Sequence, residues 1–175
     1  MSVAAKYPRR KQMLNTARKY STGKYISRFV AKTFQQMIRA EAAAIPAGLT
    51  PAIVEGELQD VFRKVGECAC ITCGKVMPWN GGVADAGHFL GSRSNSIIFQ
   101  EDGLAPQCSR CNRFRSGEPQ KFRQWMEAVR GQDVIERLER VKNTRRHFTR
   151  EELVDLLIGF KIRLKAAKDR MESLI

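Results

Sequence analysis

The sequence predicts an α+β chain, with a small cysteine-rich module between two helical regions. Three observations predict it. Apolar residues recur at helical spacing before residue 66 and again after residue 118. The segment between them, 67–117, holds all five cysteines, many glycines and only short apolar runs. Four of those cysteines form two Cys-x-x-Cys pairs, "CITC" (70–73) and "CSRC" (108–111). With 175 residues, 43% of them hydrophobic, the chain has the length of one domain and enough apolar material for a core.

Residues 1–20 read as a basic, poorly ordered arm whose Arg9, Arg10 and Lys11 are candidate DNA contacts, within an N-terminal region expected to grip DNA or to dimerise. Residues 21–66 read as a basic helical region. Its first helix, 21–44, carries Ile26, Phe29, Val30, Phe34, Met37 and Ile38 on one face. "IPAGL" (45–49) breaks it. Thr50 and Pro51 then have the pattern of an N-cap followed by a first-turn proline. Ile53, Val54, Leu58, Val61, Phe62 and Val65 extend a second stripe as far as Gly66. The module at 67–117 reads as small hairpins, with "SIIFQ" (96–100) extended and a short helix near the second cysteine pair. Helical pattern returns over 118–175. Phe122, Trp125, Met126 and Val129 mark one helix and Val134, Leu138 and Val141 a second over 133–142. Thr149 with Glu152 is a capping box opening a last helix, with Leu153, Leu156, Leu157, Phe160 and Leu164 on its apolar side.

The formal net charge is +13 and the pI about 10.0. Residues 1–66 hold 12 Lys/Arg against 4 Asp/Glu (+8), 67–126 hold 7 against 5 (+2), and 127–175 hold 12 against 9 (+3). Such an excess points to a polyanionic partner, nucleic acid before a membrane surface. The first twenty residues have too few large apolar side chains for an interfacial anchor. No apolar run approaches the roughly 20 residues of a bilayer span. "MSVAAKYPRRKQM" lacks the apolar stretch of a secretory signal, so a cytoplasmic protein with reduced thiols is expected.

In that setting, paired Cys-x-x-Cys turns are more often a metal site than a disulfide framework. Cys70, Cys73, Cys108 and Cys111 match a tetrahedral zinc site that staples segments too poor in apolar residues to fold alone. Four thiolates leave no position for water, so the zinc is structural. Cys68 reads as a packed or spare thiol, although it also offers an alternative to Cys70. Chemistry then falls to other residues. His88, in "DAGHF", suits a general base near neutral pH, and suits equally a histidine filling a gap in the module. Asn112 follows the last zinc cysteine and offers a hard oxygen to Mg²⁺ or Mn²⁺. Asp85 and Asp102 are candidates to share that ion. Arg93, Arg113 and Arg115 are candidate phosphate clamps or, in the plainer reading, solvated charges. His147, in "NTRRHF", reads as a surface or phosphate-contacting residue.

"CITCG", "DAGHF", "FQED", "QCSRCN", "FRQWMEAVRGQDVIERLE" and "FTREELVDLLIGFKIRLKAAKD" together resemble the NinG (Rap) recombination proteins of lambda-like phages, over roughly residues 65–170. The resemblance implies an HNH-like, ββα-metal nuclease module. It implies a structure-specific endonuclease acting on branched recombination intermediates such as Holliday junctions and D-loops, in the cytoplasm of a bacterial host. It implies His88 as general base, Asn112 as ligand of a catalytic Mg²⁺ or Mn²⁺, and zinc on Cys70, Cys73, Cys108 and Cys111. Asp85 belongs to the family's pattern. The position before the base, often acidic or histidine in such nucleases, is Gly87 here, and Gly103 stands where the family commonly has Asn.

Three functional expectations follow. The first is a zinc-stapled, Mg²⁺-dependent endonuclease on branched DNA. The second is a non-catalytic zinc-ribbon DNA-binding or adaptor protein. The third is a sequence-specific HNH endonuclease on duplex DNA. A resolvase makes two symmetric cuts, so a homodimer is expected, joined through 21–44 or 150–172 unless those stripes are ordinary core.

Overall fold

The computed structural model describes residues 7–91 and 94–175. Among the described residues the strands form three separate two-stranded antiparallel sheets, set between helices.

The first departure from the sequence reading is at the N-terminus. Residues 1–6 lie outside the described residues, but α1 (Arg10–Arg18) is a helix packed on the C-terminal helix, not a loose arm. Its apolar residues explain this: Ala17 is fully buried, and Met13 and Leu14 join the same core. Arg10 forks Asp155 through Nε and Nη2 at 2.8 and 3.2 Å.

The helix expected over 21–44 forms as α2 (Thr22–Tyr25), a π-helical turn (Ile26–Val30) and α3 (Ala31–Ala43). Ser21 caps its start, its Oγ accepting from Lys24 N. Phe34, Met37, Ala40 and Ala43 are the buried face of α3. They pack on α6 (Arg150–Ser173), whose capping box is present: Glu152 N donates to Thr149 Oγ1 at 3.1 Å and Thr149 N to Glu152 Oε2 at 2.7 Å. Phe34 and Phe160 meet at 4.7 Å between ring centroids. Both helices therefore turn most of their apolar stripes into the chain's own core, with Phe29, Ile38, Leu156 and Leu164 half-buried at its edge.

The second departure is at 48–63. The expected helix is instead a hairpin of β1 (Gly48–Val54) and β2 (Glu57–Arg63), with Gly48 opposite Arg63 and Val54 opposite Glu57. Glu55 and Gly56 turn the corner with φ of 52° and 92°. Two successive left-handed residues make the tight connection whose twist suits a hairpin. Pro51 keeps its place because a strand of a two-stranded sheet has an edge on which the missing N–H costs nothing. Trp125 Nε1 donates to Pro51 O at 2.8 Å and seats α4 (Pro119–Val129) on the hairpin.

β3 (Glu67–Ala69) pairs with β4 (Val76–Pro78), and β5 (Ala84–His88) with β6 (Leu104–Cys108). "SIIFQ" is a turn, not an extended run: Ile97 N and Ile98 N both donate to Ser94 O at 3.1 Å. The turn delivers Phe99 to the rings of Phe34, Phe148 and Phe160. A 3₁₀ turn (Glu101–Gly103) leads into β6, and a π-helical turn (Arg110–Phe114) leaves it. α5 (Gln132–Lys142) covers Gly103 with Leu138. Arg163 on α6 binds both Glu41 on α3 and Glu101, and so fixes the 3₁₀ turn between the two long helices. Among the described residues no helix is long and apolar enough to cross a membrane.

Candidate metal centre and adjoining polar site

Two local turns build the metal centre. In the first, Cys73 N and Gly74 N both donate to Cys70 O, at 3.3 and 2.8 Å, and Cys70 N donates to Lys75 O at 2.9 Å. Gly74 holds φ +72°, and a Cβ there would fall 2.5 Å from Val54 Cγ2, so only glycine closes this turn against the hairpin. In the second, Cys108 ends β6 and Cys111 lies in the π-helical turn, with Cys111 N directed at Cys108 Sγ at 3.5 Å.

The two turns meet. The sulfurs of Cys70, Cys73, Cys108 and Cys111 all lie within 4.8 Å of one another, with Cys73 and Cys108 at 3.8 Å. A tetrahedron with Zn–S bonds of about 2.3 Å has edges of about 3.8 Å. Every cysteine is a free thiol, and three of these four are buried. The cluster can hold a zinc ion, and four sulfurs would close its coordination shell. Burial raises the thiols of Cys73 and Cys111, the latter to about 11. Burial opposes the Cys108 thiolate too, yet the Cys111 N–H and the neighbouring thiols outweigh it and hold Cys108 low. A divalent cation would draw all four into the thiolate form. Cys68 stands apart: it donates to Arg39 O at 3.3 Å, and burial pushes its thiol up to about 12.

A supporting layer was not read from the sequence. Thr72 and Gln107 are fully buried polar residues. Thr72 Oγ1 lies 3.4 Å from Cys70 Sγ and also bonds Cys111. Gln107 Nε2 donates to Thr72 Oγ1 at 3.0 Å and to Gly117 O at 2.8 Å. These contacts tie the first cysteine turn to the second, as outer-shell partners of metal ligands commonly do. The available signal was a glutamine in a buried strand position immediately before a metal cysteine.

Beside the metal centre lies a polar site. The π-helical turn carries Asn112 and Arg113 onto Asp85 of β5. Arg113 clamps Asp85 with Nε and Nη2 at 2.8 and 2.6 Å, and Asn112 bonds it as well. Burial pushes the Asp85 carboxyl up, but Arg113, Asn112 and the charge of Arg39 together hold it below the usual carboxylate range. Arg115, next along, pairs with Glu118 at 3.1 Å.

The structure therefore brings Asp85, Asn112 and Arg113 together, but not every expected partner. His88 ends the same strand, opposite Leu104. Three residues at about 3.4 Å each set it roughly 10 Å along the backbone from Asp85, and the pleat turns the two side chains to opposite faces. His88 lines a small cavity with Leu90, Ile97, Gln100, Gly103 and Leu138. Asp102 pairs with Arg137 of α5, away from Asp85. Gly87 has a packing reason: a Cβ there would overlap Oε1 of the buried Gln107. Arg93 lies outside the described residues. Arg9, just before α1, and Lys11, on it, are exposed, while Arg10 is committed to Asp155.

A family model described as Bacteriophage Lambda NinG protein matches residues 57–171. The chain belongs to the NinG family. The match takes in all four metal cysteines, Asp85, His88 and Asn112, and begins at β2, so α1 to α3 and β1 precede the NinG region. No curated protein and no solved structure matches the chain.

Proposed function

We propose that this NinG-family chain is a Mg²⁺- or Mn²⁺-dependent DNA endonuclease that cuts branched recombination intermediates, Holliday junctions and D-loops, in phage DNA recombination. The observation that carries the reading is an order of elements. His88 closes β5, β6 returns antiparallel, and the helical turn that follows presents Asn112 one residue past a metal cysteine. This is the order in which HNH-like, ββα-metal nucleases present their base and their metal ligand. The net charge of +13 supports a DNA substrate.

In this reading His88 takes the proton of the attacking water. Asn112 offers a hard oxygen to the catalytic ion, alongside phosphate oxygens and water, a donor set that Mg²⁺ accepts because it keeps several waters. A bound ion supplies charge stabilisation at the scissile phosphate. Asp85 has both oxygens engaged by Arg113. It serves to position Asn112 and Arg113, and becomes a metal ligand only if Arg113 transfers to a DNA phosphate. The metal centre fixes the turn that holds Asn112 and Arg113, while Asp85 and His88 stand on β5. The protein works in the host cytoplasm as a homodimer, and because the stripes of α3 and α6 lie mostly in the chain's own core, the dimer uses another surface.

The saturated Asp85 favours a second reading, a zinc-stapled DNA-binding or adaptor protein without catalysis. A denaturing-gel assay separates the two. The protein is incubated with a four-way junction or a linear duplex, with Mg²⁺ or Mn²⁺, alongside Asn112→Ala. The nuclease reading expects metal-dependent junction cuts that the variant loses. Binding of both DNAs without cuts in either metal sinks it, and cutting of one duplex sequence in preference to the junction points instead to a sequence-specific enzyme.

A further inference from the structure

Phe114 is 82% exposed, more than any other large hydrophobic among the described residues except the terminal Ile175. An exposed aromatic ring on a mobile loop would mean little. This one ends the π-helical turn that contains the metal cysteine Cys111. The chain beyond it is tied back at once: Gly117 N donates to Cys111 O at 2.9 Å, and Gln107 Nε2 holds Gly117 O at 2.8 Å. The ring therefore stands on a stage fixed by the metal centre. Arginines surround it in sequence. Arg110 is exposed, and Arg113 and Arg115 have 58% and 44% of their side-chain surface open, with Asp85 and Glu118 as their acidic partners.

We propose that Phe114 is a base-stacking wedge, with one unpaired DNA base docking on its ring and Arg110, Arg113 and Arg115 meeting the adjoining phosphates. The inference rests on the DNA-binding part of the proposed function and not on cleavage. A bare aromatic face with a cationic rim matches an unstacked base on a polyanionic backbone. Intact duplex offers no open base face inside its stack, whereas a bulge or a branch point does. Phosphate oxygens compete for the exposed guanidinium groups of Arg113 and Arg115, each of which has one carboxylate partner. The wedge gives a chain without an evident base-reading helix a way to prefer distorted DNA by shape.

The test is fluorescence anisotropy on the full-length, zinc-loaded protein without Mg²⁺. The probes are a duplex with one bulged 2-aminopurine and a fully paired duplex of equal length. Base stacking on an aromatic side chain makes Phe114→Ala weaken bulged DNA by about fivefold to a hundredfold. The paired duplex, held by phosphates alone, changes by less than about twofold. Wild-type protein alters 2-aminopurine emission, Phe114→Ala abolishes the change, and Phe114→Trp restores it. Because the ring is exposed, the variants keep the fold, which bound zinc and thermal unfolding verify. Tight wild-type binding with an unchanged bulge-to-duplex ratio in Phe114→Ala overturns the wedge alone. A wild-type protein that binds neither DNA overturns the wedge together with the DNA reading.

Discussion

At the residue scale, Gly87 joins packing to chemistry. The position directly before His88 is closed to any side chain by the buried Gln107. Gly87→Ala drives a methyl into Oε1 of a side chain already held by Thr72 and Gly117. It should cost about 1–3 kcal/mol, read as a lower urea midpoint at unchanged slope. Asp85 gives a second prediction. Its folded carboxyl titrates below the usual range, so the stability it adds is complete above its ordinary value near pH 4 and is lost as pH falls through the lower folded value. Arg113→Ala should raise the Asp85 titration midpoint, as followed by carbon-13 shifts of its carboxylate. Residues differed in how readable they were. Cys-x-x-Cys chelation is local, so spacing alone selected the four ligands. Thr72 and Gln107 carried no such sign, because their contact spans 35 residues and only the folded chain creates it. Asp85 and Asn112 were readable as neighbours of the metal turn, but the arginine on Asp85 and the strand length between Asp85 and His88 were not.

At the element scale, the informative miss is the hairpin at 48–63. Ile53, Val54, Leu58, Val61 and Phe62 fit a helical stripe, yet as short β-branched and aromatic runs on either side of a tight turn they also suit two strands. What decides between them is Glu55-Gly56, a pair without the asparagine or aspartate that usually marks such a turn. Glu55 holds φ of 52°, a conformation that asparagine tolerates better. Glu55→Asn should therefore stabilise the protein by about 1 kcal/mol, visible as a higher melting temperature. The helices were more readable because their signals are local: the stripe of α3 and the Thr149–Glu152 box stand in the sequence as they stand in the fold. α1 was misread because its charge outweighed the small apolar set Met13, Leu14 and Ala17. Removing residues 1–18 uncovers that part of the core, so the truncated chain should melt at a lower temperature, where loss of a loose DNA-gripping arm would leave melting unchanged.

At the scale of the whole molecule, the metal cysteines are part of a core and not an appendage to it. Cys70, Cys108 and Cys111 share one buried cluster with Ala40, Ala43 and Ala44, and with Ala167 and Met171 of α6. One zinc per chain is expected. Stripping it with a chelator, or replacing Cys111 with Ser, should unfold the module, with loss of its near-ultraviolet dichroism. The turn bearing Asn112, Arg113 and Phe114 would lose its anchor at the same time. Under the proposed function, the frame around the four cysteines positions a nuclease site at His88. The most direct test is single-turnover cleavage of a labelled four-way junction in Mg²⁺ by wild type and His88→Ala, matched for zinc content and melting temperature. Junction cuts by the wild type and a loss of at least about a hundredfold in rate for the variant are expected, the scale on which a general base contributes. Equal cutting by both proteins would contradict it.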